Sequence, residues 1–390
     1  VGDPGLLHTI RYVITLDADT ELPPETARRL VETMAHPLNE PRVAEETRTV
    51  VEGYAVIQPR VCPSLPSAMS SFFSRLFSDS TGLDPYCRAV SDVYQDLAGE
   101  GTFYGKGIYD PRVFHRVLSR RFPEEMILSH DLLEGAYLRV GFASDVVLLD
   151  QFPRTYGAYA SREHRWIRGD WQLVDWLAPR VPLPDGRSEP NPLTILNRWK
   201  ILDNLRRSLV APATMALLLL AWFGSLDPIL WSGFAGLAAF WSSLPAFLRR
   251  LLAGPYTAPA RRELLSRLAK DAASIVLLPH RAVLATDAVI RVWYRRLVSR
   301  RHLLAWETAQ ATHGRYDSRE GIRRSLQVMG GIALAALALA GAVKLSAPEA
   351  FPPALPFLVL WSFSPLVVWA LNLPPAARHP SALSPRDRGF

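Results

Sequence analysis

Charge is missing from four long stretches of this 390-residue chain. No Asp, Glu, Lys or Arg lies between Arg207 and Asp227, Asp227 and Arg249, Arg324 and Lys344, or Glu349 and Arg378. These windows hold 19, 21, 19 and 28 residues. Each is near the roughly 20 apolar residues that cross a bilayer. Four such runs in one half of a chain are too many for an ordinary soluble core. The spacing predicts two transmembrane hairpins, over 201–250 and 325–372. A fifth apolar stretch, Ile275 to Ile290, carries His280, Arg281 and Asp287. Charge at the bilayer centre is costly, so this stretch reads as an amphipathic helix on the membrane surface.

Cysteine is nearly absent. Cys62 and Cys87 match no zinc spacing and form no disulfide framework. There is no initiating Met and no signal peptide. The chain opens at Val1, a few residues before a strand that should be central in its sheet. That reads as a piece of a longer protein.

The net charge of +7 suggests nucleic acid, but its distribution argues against that partner. Residues 1–207 hold 24 Lys and Arg against 28 Asp and Glu, a net of −4. Residues 248–324 hold 16 against 6, a net of +10. A basic loop between apolar hairpins is the positive-inside signal. It places 1–200, the loop over 251–324 and the tail over 373–390 in the cytoplasm. Arg295, Arg296, Arg300 and Arg301 also suit anionic headgroups. The partner this implies is the lipid bilayer.

Residues 1–200 alternate strand and helix signals. Strands are expected at Thr9–Leu16, Tyr54–Gln58 and Phe142–Leu149. Helices are expected at Pro24–Ala35, Ala68–Phe77, from an N-cap at Ser129 to Val140, and at Ala158–Leu177. Pro179 to Pro192 reads as a loop. The alternation means an α/β domain with a mixed sheet, followed by the helical membrane region.

Chemistry concentrates in four places. Thr15-Leu16-Asp17-Ala18-Asp19-Thr20 ends the first strand. Carboxylates two apart on a strand share a face. So close together, Asp17 and Asp19 call for a cation between them, and hard oxygen ligands suit Mg²⁺ or Mn²⁺. The second place is the Gly-rich run from Gly99 to Gly107. Its backbone can approach a ligand closely, which makes Gly105 and Lys106 substrate-binding candidates. The third is Asp131, at the start of a helix. It is either a carboxylate placed for the helix dipole or a general base. The fourth is Arg162-Glu163-His164-Arg165-Trp166. Helical spacing groups Arg162, Arg165 and Trp166. The arginines suit phosphate oxygens, and the indole suits the C–H face of a pyranose. A glycoside hydrolase does not fit, because Asp17 and Asp19 are too close to flank a glycosidic bond across roughly 5–9 Å.

The order of these motifs, ahead of apolar helices, resembles membrane-bound family-2-like glycosyltransferases. Longer strings narrow the likeness. Gly82-Leu83-Asp84-Pro85-Tyr86, Ala89-Val90-Ser91-Asp92-Val93-Tyr94-Gln95-Asp96, Gly105 to Asp110, Ile127 to Gly135, His164 to Gln172 and Ser299 to Leu304 are similar to the glucosyltransferase region of cyclic β-1,2-glucan synthases, glycosyltransferase family 84. That resemblance covers nearly the whole chain. It implies that 1–200 is the C-terminal part of a GT-A-like catalytic domain. It implies an inverting glucosyltransferase that polymerises glucose from UDP-glucose onto a growing glucan acceptor. Asp17 and Asp19 would hold the metal and diphosphate, and Asp131 would be the base. Arg162, Arg165 and Trp166 would contact diphosphate and acceptor sugar. His130 and Arg162 stand where relatives carry Glu and Gln, so the roles of those two are open. The setting implied is the bacterial inner (cytoplasmic) membrane, multi-pass, with the catalytic domain cytoplasmic. Upstream nucleotide-binding strands and downstream glycan-processing domains would complete the parent protein. Synthesis of another β-glucan, such as a cellulose-like polymer, and a non-catalytic membrane scaffold are the alternative readings.

Overall fold

A computed structural model describes residues 9–78, 92–123, 126–241, 243–245, 247–248, 258–304 and 322–375. The motif Gly82–Tyr86, residues Ala89 to Ser91, Cys87 and the end of the expected cytoplasmic tail lie outside the described residues.

The α/β part is built on strands β1 (Val13–Thr15), β2 (Arg42–Ala44), β3 (Thr49–Glu52), β4 (Val56–Pro63), β5 (Gly107–Tyr109), β6 (Val140–Asp150), β7 (Arg180–Pro182) and β8 (Ser188–Pro190). Four of them form one mixed sheet in the order β1-β5-β4-β6. β5 is antiparallel to both neighbours, with Ile108 opposite Ile14 and Ile57. β4 and β6 run parallel, with Ile57 opposite Gly141. Among the described residues β1 is an edge strand, with one neighbour, β5. The other strands form two small hairpins, β2–β3 and β7–β8. The proline-rich run read as a loop holds the second of these. Pro182 and Pro190 sit at the ends of its strands, where a missing N–H is tolerated.

Helices cover both faces of the sheet. Helix α1 (Thr26–Met34) lays Leu30 and Met34 on Ile57, Ile108, Ala143 and Val146. Three short helices follow: α2 (Leu65–Ala68), α3 (Phe72–Phe77) and α4 (Val93–Ala98). The opposite face takes α5 (Pro111–Leu118) and α6 (Asp131–Leu138). Val117, Leu133, Tyr137 and Leu138 are buried there with Val56, Val140 and Trp176. Removing fully buried Leu133 to Ala would cost about 2–5 kcal/mol. Helix α7 (Tyr156–Gln172) follows β6. It is capped by Thr155, whose hydroxyl accepts from the Ala158 N–H, and it tightens into a 3₁₀ turn at Leu173–Leu177.

The remaining helices are α8 (Ile195–Phe223), α9 (Pro228–Ala239), α10 (Ala258–Tyr294), α11 (Ile322–Ser346), α12 (Phe351–Ser362) and α13 (Ser364–Asn372). Among the described residues, three helices are long and apolar enough to cross a membrane: Ile195–Phe223, Arg261–Ser299 and Ile322–Ser346. The pair Pro348–Ser362 and Ser364–Asn372, bent by 45°, would make a fourth if it is one broken span. Leu220 and Leu334 point outward from these helices, and Ile229 and Leu237 from α9, as lipid-facing side chains do.

Two expectations change. The window 228–248 is not one straight span. Helix α9 has 12 residues, and the chain turns after it, with the Ser243 N–H bonded to the Phe240 carbonyl. At 1.5 Å per residue α9 covers about 18 Å, short of the roughly 30 Å hydrocarbon core. The stretch Ile275 to Ile290 is the middle of a 37-residue helix. Its charges face protein. Arg281 pairs with Glu163, the Tyr156 hydroxyl meets His280 Nδ1 at 2.7 Å, and His164 Nε2 meets Asp287 at 2.9 Å. On other sides, Ala273 and Leu277 pack with Phe73 and Tyr156, and Ile275 packs with Phe357 and Trp361. Helix α10 thus joins the α/β domain to the helical bundle. The cost that argued against its burial is met by α7.

Candidate active site

The carboxylate pair sits just past β1. The strand stops at Thr15, and Asp17 to Thr20 form a turn closed by the Thr20 N–H on the Asp17 carbonyl at 3.1 Å. A turn, rather than strand alternation, therefore arranges Asp17 and Asp19. The Thr20 hydroxyl donates to Asp150 Oδ1 at 2.6 Å, which ties this turn to the end of β6.

Lys106 is the buried centre of the site. It is 2% exposed and pairs with both Asp150 and Asp17, its Nζ lying 2.9 Å from Asp17 Oδ2. The Gly-rich loop that carries it is pinned on several sides. The Gly101 N–H bonds the Val140 carbonyl, the Tyr104 N–H bonds Gln58, and Lys200 from α8 donates to the Gly101 carbonyl. Gly105 has φ +78, and a Cβ there would stand 3.0 Å from Asp131 Oδ1. Glycine thus supplies both the left-handed turn and the room for Asp131.

Asp131 is the first residue of α6, behind His130 at the N-cap. The expected cap, Ser129, instead hydrogen-bonds the Asp131 carboxylate. Burial pushes the Asp131 carboxyl up, and the nearby Asp17 charge adds to this. His130, Lys106 and the Ser129 bond oppose it. One turn on, Glu134 is pushed up to about 7 by burial and then by Asp131. The ring of His130 is engaged by the Ile127 carbonyl at 2.6 Å.

Helix α7 closes the site. The Arg162 guanidinium stacks over the Trp166 ring at 4.4 Å. Burial lowers Arg162, while Asp150 and Asp19 hold it up. Burial also lowers Arg165, opposed by Asp17 and Asp19. The fold thus gathers Asp17, Asp19, Lys106, Asp131, Arg162 and Arg165 from four separate segments. Two further participants, Asp150 and Ser129, were not singled out from sequence. Asp150 ends a strand and its partners lie far along the chain, while Ser129 reads from sequence as a helix cap and not as a donor to the Asp131 carboxylate.

The donor set bears on a metal. No group of three or more His, Cys, Asp or Glu that could hold an ion occurs among the described residues. Two carboxylates at an exposed turn still fit Mg²⁺ or Mn²⁺, which is commonly held by one or two carboxylates plus substrate phosphates and water.

Trp166 separates two cavities. One, of about 240 Å³, is lined by Asp150, Tyr159, Arg162 and Lys270. The other, of about 200 Å³, is lined by Asp131, Tyr104, Asp170 and Asn204. Cations and aromatic rings border both: Arg162 and Lys270 with Tyr159 in the first, Lys200 and Arg207 with Tyr94 and Tyr104 in the second.

No protein-family model matches the chain. A curated relative does. Over 381 residues, 93% of this chain, it is 38% identical to the cyclic beta-(1,2)-glucan synthase NdvB of Rhizobium meliloti (strain 1021). The chain spans 13% of the length of that relative. Identity of this extent, with the motif order above, makes the chain a homologue of one region of a cyclic β-(1,2)-glucan synthase.

Proposed function

We propose that this chain is the polymerising unit of a β-1,2-glucan synthase, an inverting glucosyltransferase that uses UDP-glucose. One observation carries the reading. A half-buried carboxylate, Asp131, stands against Gly105 in the same site as Asp17, Lys106 and Arg165. A base beside a cation-rich, carboxylate-bearing turn is what inverting transfer from a sugar diphosphate needs.

In this mechanism the donor diphosphate lies along Asp17, Asp19, Arg162 and Arg165. A Mg²⁺ or Mn²⁺ held by Asp17 and Asp19 would offset diphosphate charge. Trp166 stacks the acceptor's terminal sugar. Asp131 takes the proton of the attacking hydroxyl as the new bond forms at the anomeric carbon. The bond to the diphosphate breaks from the opposite face, and UDP departs with the electron pair beside the two arginines. Inversion follows from attack and departure on opposite faces. Lys106 fixes the positions of Asp17 and Asp150 and with them the carboxylate turn.

The test offers radiolabelled UDP-glucose, UDP-galactose and UDP-N-acetylglucosamine to the intact protein in detergent. Transfer from UDP-glucose alone is expected. It should be lost in EDTA, restored by Mg²⁺ or Mn²⁺, and abolished in Asp19→Ala. Full activity in EDTA, or equal use of all three donors, would overturn the proposal.

A further inference from the structure

The cavity between the Gly-rich loop, α6, α7 and α8 contains polar groups that the transfer step does not use. Trp166 and Asp170 line it from one face of α7, four residues apart. Asp131 enters from α6. Opposite, Asn204 on α8 donates its amide to Asp170 Oδ1 at 3.0 Å, and Arg207 in turn donates to the Asn204 amide oxygen. This chain of bonds fixes the Asp170 carboxylate. Its Oδ2 accepts no hydrogen bond from the described residues. Burial pushes Asp170 up to about 6, with Asn204 and Arg207 opposing, so it is largely ionised at neutral pH. Thr102, from the Gly-rich loop, supplies a second group. It lines the same cavity, is 8% exposed, and its buried hydroxyl has no hydrogen-bond partner among the described residues. Buried hydroxyls are nearly always partnered. A ligand in the cavity that Thr102 lines can supply that partner.

An aromatic plate, a fixed carboxylate oxygen and an unpaired hydroxyl around a small compartment match a sugar ring. The ring offers one apolar face and several hydroxyls at fixed angles. We propose that Asp170, with Thr102, binds the non-reacting hydroxyls of the acceptor's terminal sugar. They thereby select which hydroxyl faces Asp131 and set the linkage. This rests on the transferase reading above and adds the specificity-determining residues to it. The indole alone would let the ring rotate in its plane. Two hydrogen-bonding points on the rim remove that freedom.

The test titrates β-1,2-, β-1,3- and β-1,4-linked glucose disaccharides by calorimetry into the intact protein in detergent. It compares wild type with Asp170→Asn and Thr102→Val. Wild type is expected to favour the β-1,2 disaccharide. Asp170→Asn should weaken that binding by about 10-fold or more, the loss of a charged hydrogen bond. Thr102→Val, close in shape, should weaken it by about 3- to 10-fold. UDP-glucose affinity should hold in both, which also reports correct folding. Where transfer is measured, product from Asp170→Asn should carry mixed linkages. Unchanged disaccharide affinity in both variants, or no disaccharide binding by wild type, would overturn the inference. Failure of UDP-glucose as donor with Asp170-dependent disaccharide binding intact would instead remove the donor assignment.

Discussion

Replacing Asp131 with Asn should lower turnover by at least about 100-fold, the usual contribution of a positioned general base. Asn keeps the size of the side chain and can still accept a bond from Ser129, but it cannot take a proton. The loss should fall on kcat, with UDP-glucose affinity little changed. The pH profile adds a second readout. Burial and the Asp17 charge raise Asp131. The base works only when ionised, so wild-type activity should fall with acid at a higher pH than an ordinary carboxylate allows. That acid limb should be missing from whatever activity Asp131→Asn retains. Turnover within about tenfold of wild type would assign the base elsewhere. His130 would be the next candidate, although its ring is engaged by the Ile127 carbonyl.

Replacing Lys106 with Met should destabilise the α/β domain by about 3–5 kcal/mol, the cost of breaking a buried ion pair from one side. Lys106 is 2% exposed and Asp150 is 5% exposed. Removing the ammonium leaves Asp150 buried without its cation, and Asp17 loses its anchor. Thermal unfolding should show a clear drop in midpoint. Lys106→Met combined with Asp150→Asn should recover much of it, because no uncompensated charge then remains. A single variant as stable as wild type, but with weakened UDP-glucose binding, would instead make Lys106 a direct phosphate ligand.

Much of this site was legible because its chemistry lies in contiguous residues. The carboxylate pair, the helix-start Asp131 and the Arg162–Trp166 group stand out by residue type and spacing, and the fold brings them together. The sheet was less legible. Only three residues of the expected strand Thr9–Leu16 pair as β1, and the carboxylates owe their arrangement to the turn after it. Strand β5 carries little signal because it is three residues between Gly105 and a helix capped by Asp110 that opens on Pro111. Its identity depends on Ile14 and Ile57 across the sheet. Asp150 and Asp170 were not singled out for the same reason. Their partners are 130 residues away for the Thr20 bond and 34 for the Asn204 bond. Charge led the reading of Ile275–Ile290 toward the membrane surface. The structure engages those charges with Tyr156, Glu163 and His164, a pairing that no local pattern encodes.

The most direct test of the central claim is the bond made. UDP-glucose labelled with ¹³C at the anomeric carbon would be incubated with the intact protein and Mg²⁺, and the product analysed by NMR. The account predicts incorporation as a β-anomer linked to C2 of the next glucose. An α-anomer, linkage at another carbon, or release of free glucose without polymer would contradict it.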